Sequence, residues 1–182
     1  MSQWRSEHVK MPSGHGWKAK PGWKIVVVAR GAVRFDIPRE WPGQPTEEGS
    51  IRIHDRMSPD DNCQLEASLL PYQLRSGAGP SLTELLAGLD DAHDLTVLGR
   101  SEIHTGSGSR SDWVWNELRF RDDGRDALTR TCLAQGGGRY AVLTFTLWAD
   151  DAACLDPVWS GILDSLEVGV TYDLSGRNPR RN

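Results

Sequence analysis

The sequence predicts an α+β domain built on an antiparallel β-sheet, and three features carry that reading. Three strand-like runs, Trp113 to Phe120, Asp126 to Ala134 and Tyr140 to Trp148, follow one another as a β-meander. An amphipathic helix, Asp151 to Leu166, comes directly after them, and two hairpins with a capped helix come before. No catalytic or metal-ligand pattern lies in these segments, so architecture is more legible than chemistry.

Composition narrows the class of protein. A chain of 182 residues with 38% apolar residues, eight of them tryptophan, and 25% charged residues can bury one hydrophobic core and is not a disordered polymer. A formal charge of -4 gives no general attraction to nucleic acid or to an anionic membrane, so neither is expected as a partner. The longest apolar run, Ile25 to Ala29, has the length of a strand and not the roughly 18 to 20 residues of a spanning helix. The first residues show no apolar export segment. Cys63, Cys132 and Cys154 lack metal or redox spacing, which fits free, mostly buried thiols in a reducing cytoplasm.

Residues 1–22 mix Pro, Gly and scattered charge and read as a weakly ordered arm partly docked through Trp4 and Trp17. A single domain spans 23–170, and 171–182 form a loose tail. Lys24 to Arg30 and Val33 to Ile37, turning at Gly31-Ala32, make an opening hairpin. Pro38 to Gly49 holds three prolines and reads as a loop around Trp41. Ile51 to His54 and Cys63 to Leu70 alternate as a second hairpin. After a Gly- and Pro-rich connection from Pro71 to Pro80, Ser81-Leu-Thr-Glu84 is a capping box opening a short helix that ends near Asp90. Leu95 to His104 is strand-like, and Thr105 to Arg110 is a Gly/Ser loop.

Asp123-Gly124 predicts a two-residue type I′ turn, which pairs Asp122 with Arg125, Glu117 with Arg130 and Trp115 with Cys132. A turn over Gly136-Gly137-Gly138 sets Arg130 beside Thr144 and Cys132 beside Val142. In that register Val114, Leu118, Phe120, Leu133, Ala141, Leu143, Phe145 and Leu147 form one apolar side. Trp113, Trp115, Tyr140, Val142 and Trp148 then surround Glu117, Arg119, Arg130 and Thr144 on the other. That mixed side is either covered by a further layer or is a concave aromatic surface. In the last helix Asp150 or Asp151 serves as N-cap, and Pro157 lies in or just after the first turn.

Candidate chemistry is sparse. His54 and His93 precede or follow aspartates, but without a second His or Cys at ligand spacing they read as a hairpin tip and a helix end; no metal is expected. The Gly136 to Gly138 run joins two strands and lacks the helix N-terminus of a phosphate cradle. No nucleophile elbow is present, and Ser107 and Ser109 sit in a flexible loop. The Glu117 and Arg130 pair with Trp113, Trp115 and Tyr140 is the ligand-binding candidate, while catalysis by that pair is the weaker alternative; no catalytic residue and no cofactor is assigned.

Phe35 to Trp41 (F-x-x-P-x-x-W), the strand holding Leu65-Glu66-Ala-Ser68, the helix capped at Ser81, the meander from Trp115 to Trp148 and the closing Trp159 to Leu166 occur in this order. Over Val28 to Val168 the chain resembles the PsbP-like superfamily, which includes the photosystem II extrinsic protein PsbP, the Ran-binding Mog protein and many small bacterial relatives. The resemblance implies an α/β sandwich, a central antiparallel sheet with helices on both faces, used mainly as a non-enzymatic binding or assembly module. It transfers no functional residue. The expected protein is soluble, cytoplasmic and bacterial, and acts through contact with another protein, a second copy of itself included. Binding of a small molecule on the aromatic sheet face is the alternative.

Overall fold

Alternating apolar residues bring β1 (Trp23–Val28) and β2 (Val33–Pro38) together as the opening hairpin, in register from Trp23 with Pro38 to Val28 with Val33. The computed structural model describes residues 17–57, 61–70, 80–90, 96–108 and 110–169, so most of the arm, the tail and His93 lie outside the described residues. The hairpin turns over Ala29 to Ala32 rather than at Gly31-Ala32 alone, with φ of 50°, 57° and 96° at Ala29, Arg30 and Gly31. Only the glycine is at ease there, since a left-handed non-glycine residue costs about 1–2 kcal/mol.

The loop expected between Pro38 and Gly49 contains a short strand, β3 (Gly43–Pro45), paired with β4 (Ile51–His54). Its three residues and Pro45 make it a blunt sheet edge. The second hairpin joins β4 to β5 (Cys63–Leu70) as the alternation predicts. Helix α1 (Leu82–Asp90) starts at the capping box: the Ser81 backbone N–H donates to Glu84 Oε2 at 2.7 Å, and the Glu84 N–H donates to Ser81 Oγ at 3.2 Å.

The strand expected over Leu95 to His104 is two strands, β6 (Val97–Arg100) and β7 (His104–Ser107), and the latter takes part of the expected Gly/Ser loop. Both pair with β8 (Asp112–Asp122), and Ser101 fills the break by accepting the Glu117 N–H on its hydroxyl while its own N–H donates to the Glu117 carbonyl. Leu98 is the extra residue of a bulge and is exposed. Then β9 (Arg125–Gly136) and β10 (Arg139–Trp148) complete the meander, a 3-10 turn (Ala149–Asp151) leads into α2 (Ala152–Ser165), and β11 (Glu167–Val168) closes the chain's described part. Asp151 occupies the N-cap position of α2 as expected but makes no side-chain cap hydrogen bond; Asp150 and Asp151 face Arg125 instead, at 3.8 and 4.0 Å. Pro157 falls in the second turn, so the Ala153 carbonyl loses its backbone donor.

Strands run β3-β4-β5-β10-β9-β8-β6 in an eight-stranded antiparallel sheet with β7 also on β8, and β1-β2-β11 in a smaller one. The β8–β9 register is the predicted one, Glu117 opposite Arg130. The β9–β10 register is not: the turn takes Gly137 and Gly138 alone, so Cys132 faces Leu143 and Arg130 faces Phe145. A one-residue slip inverts every side chain of a strand. Ala141, Leu143, Phe145 and Leu147 therefore share the face of Trp113, Trp115, Glu117 and Arg130, and the uniformly apolar side expected from the sequence does not exist.

That shared face holds the main core, under α2 and the small sheet. On the opposite face α1 packs Leu86 against Val114 and Leu133. Glu84 is fully exposed, and the Ser81 N–H and hydroxyl hold its carboxyl below the usual value. A folded pKa below the unfolded one means that the cap stabilises α1 above the carboxylate range and is lost as pH falls through it. Ser81→Ala is accordingly expected to speed amide exchange in the first turn of α1 at neutral pH and to leave exchange near wild type once Glu84 is protonated.

Candidate functional site

The sequence places Trp113, Trp115 and Glu117 on alternate positions of β8, and the cross-strand register brings Arg130 from β9 opposite Glu117. These four share one face. Tyr140 does not join them: it pairs with Gln135 on the reverse face and is 2% exposed, a consequence of the Gly137-Gly138 turn. Trp148 is on the reverse face too.

Arg130 is buried, and its guanidinium is held on two sides. Nε donates to Glu117 Oε2 at 3.2 Å and Nη2 to Asp156 Oδ1 at 2.5 Å, so a carboxylate from α2 caps the cross-strand pair. Glu117 Oε1 also accepts from Arg119 Nε at 3.1 Å. The Arg130 guanidinium lies 5.7 Å from the Trp115 ring. A buried arginine so bound tethers helix to sheet.

The aromatic residues form a chain of contacts from surface to core. His104 on β7 stacks on Trp115 at 4.2 Å, as direct cross-strand partners do. Trp115 meets the edge of Trp159 at 5.8 Å, and Trp159 stacks on Phe145 at 5.7 Å. Trp113 lies flat over its own cross-strand partner, Gly106, where any Cβ would come within 2.3 Å of the indole. This is why β7 carries glycine there. The indole nitrogens of Trp113 and Trp159 are buried without a hydrogen-bond partner. His104, Asp156 and Trp159 were not legible as site residues: His104 depends on β7 forming at all, and the others on where α2 lands.

Elsewhere the chemistry is quiet. Burial, aided by the Asp55 charge, pushes the Cys63 thiol up to about 12, and burial raises Cys132 further, so both are neutral. His54 Nδ1 pairs with Asp61 at 2.8 Å, and among the described residues no group of three His, Cys, Asp or Glu side chains is arranged to hold a metal. No helix among the described residues is long and apolar enough to cross a membrane.

An antiparallel sheet with a long C-terminal helix across one face and a short helix on the other is the PsbP-like fold. The solution structure of cyanobacterial PsbP (CyanoP) from Synechocystis sp. PCC 6803 superposes with a TM-score of 0.56 over 86% of this chain and 98% of that one, at 13% identity. A mutant of the protein Mog1 gives 0.52 over 82% and 97%, at 11% identity. Within that fold the chain belongs to the Alr1449 family, whose model matches residues 24–172. It is 34% identical over 171 residues to the uncharacterized protein alr1449 of Nostoc sp. (strain PCC 7120 / SAG 25.82 / UTEX 2576), covering 92% of this chain and 88% of that protein.

The geometry separates the two carboxylates that hold Arg130. The Glu117 side chain is 14% exposed and that of Asp156 58%. Glu117→Gln is expected to destabilise the protein by about 2–3 kcal/mol, as for a lost charged hydrogen bond in a buried setting. Asp156→Asn, screened by water, is expected to cost under about 1 kcal/mol. Urea denaturation of both variants reads the difference.

Proposed function

We propose that this chain is a non-enzymatic protein-interaction module, an adaptor, chaperone or assembly factor that works in the cytoplasm. The observation that supports this most is the aromatic strip at the edge of the large sheet: exposed His104 stacked on half-buried Trp115, beside half-buried Trp113. Indoles fixed by packing offer large contact area at little entropic cost, and they are the residues on which interface energy concentrates. Glu117 and the exposed Arg119 beside them supply a polar rim.

Catalysis has less support. Arg130 is tied to Glu117 and to Asp156 of the overlying α2, and Cys63 and Cys132 are buried thiols. The small-ligand reading of Trp113, Trp115, Glu117, Arg130 and Tyr140 is weaker than the interaction reading because Tyr140 faces away and α2 lies over Arg130. The PsbP-like resemblance, which takes in a Ran-binding protein, favours a protein partner too.

Trp115→Ala, checked for folding by circular dichroism, is expected to lose the partner that the wild-type chain recovers by affinity capture, while Cys154→Ser, at an exposed position on α2, keeps it. Recovery of the same partner by Trp115→Ala would count against the strip as the contact surface.

A further inference from the structure

Among the described residues α1 covers the reverse face of the large sheet around Val114 and Leu133. Beyond the helix, toward the ends of β5, β8 and β10, the face carries a shallow, open pocket of about 130 Å³. By register Asp122, Thr146, Gln64 and Trp148 all belong to this face, and Asp61 and Asn62 join them from the segment before β5. Ala127 and the Trp148 indole make its apolar floor, while the side chains of Cys63 and Leu147 belong to the core on the opposite face.

The lining has hydrogen-bonding capacity left over. Among the described residues the side chains of Asp122, Asn62 and Gln64 have no hydrogen bond or ion pair. Asp61 accepts from or shares a proton with His54, and Thr146 Oγ1 is bonded to Thr129 Oγ1 at 2.8 Å, each keeping room for one more partner. Carboxylate, carboxamide and hydroxyl groups thus converge beside an indole. An apolar cavity with a few convergent polar groups is the usual form of a small-molecule site.

Charge and occupancy narrow the ligand. Among the described residues two aspartates and no Lys or Arg line the cavity, which disfavours an anion. A cation is disfavoured too, because the Arg125 guanidinium already sits 4.5 Å from the Trp148 ring centroid and would repel a second charge beside it. We infer that this cavity binds a small neutral polyhydroxylated ligand, of the chemistry of a sugar ring. The hydroxyls donate to Asp122 and Asp61, the carboxamides of Asn62 and Gln64 bridge to neighbouring oxygens, and the C–H face of the ring packs on the indole edge and the apolar floor. This site is independent of the aromatic strip: it lies on the other side of the sheet.

The test is a titration of the full chain with methyl glucoside, methyl galactoside, methyl mannoside and N-acetylglucosamine, followed by amide and indole NMR signals. Putrescine serves as the cationic probe. A saturable shift with at least one of the four sugars is expected at the Trp148 indole N–H and the Asn62 and Gln64 side-chain amides. Asp122→Ala and Gln64→Ala are each expected to weaken it about tenfold or more. Both residues lie at the surface end of the sheet, so at least one folded variant reads the result. No saturable shift with any of the sugars, a response to putrescine alone that salt removes, or binding unchanged in the folded variants would each overturn the inference.

Discussion

The turn of two glycines between β9 and β10 governs the rest of the fold. Gly137 and Gly138 have φ of 54° and 73°, the left-handed pair of a type I′ turn, and this places Gly136 opposite Arg139 as the last ladder pair. Gly136 cannot move into the turn freely, because it lies against the backbone oxygens of Arg110 and Val168, each 2.4 Å from where a Cβ would stand. The register of the longest central strand is thus held by the close approach of β11. A slip by one residue would turn Leu143, Phe145 and Leu147 away from α2, and each fully buried side chain of this kind contributes roughly 1.5–3 kcal/mol.

From that register follows the sealing of the face. Phe145 becomes the floor on which Trp159 stacks, Trp159 supports Trp115, and Asp156, one turn before Trp159, reaches Arg130. The small sheet completes the cover: Val33, Phe35 and Ile37 of β2 are fully buried, and Asp36 N–H, left without a strand partner, donates to Ser165 Oγ on α2 at 2.9 Å. Behind β2, Arg34 bridges Asp36 and Glu167 at 3.3 and 3.1 Å, and burial raises the Asp36 carboxyl despite that arginine. What this packing leaves uncovered includes the His104, Trp115 and Trp113 strip on one side and the pocket beside Trp148 on the other.

Local chemistry made much of this readable. Asp123-Gly124 announces its turn and hence the Glu117–Arg130 pair, Ser81 and Glu84 announce α1, and apolar spacing announces α2. What was not readable depended on distant chain. Three consecutive glycines allow more than one turn, and the contacts of Gly136 with Arg110 and Val168 choose between them; that choice moved Tyr140 and Trp148 to the reverse face. Likewise β3 and β7 exist because neighbouring strands offer them a ladder, against the prolines and glycines of their own segments. The Arg130 site looked like a cross-strand pair open to a ligand because Asp156 reaches it only through helix docking.

The central claim is that the β9–β10 register puts Phe145 beneath Trp159. Proton–proton contacts in a nuclear Overhauser spectrum test it most directly. The account predicts contacts from the Phe145 ring to the Trp159 indole and cross-strand contacts between Cys132 and Leu143. Contacts from Phe145 to Leu86 of α1, with Cys132 facing Val142, would contradict it.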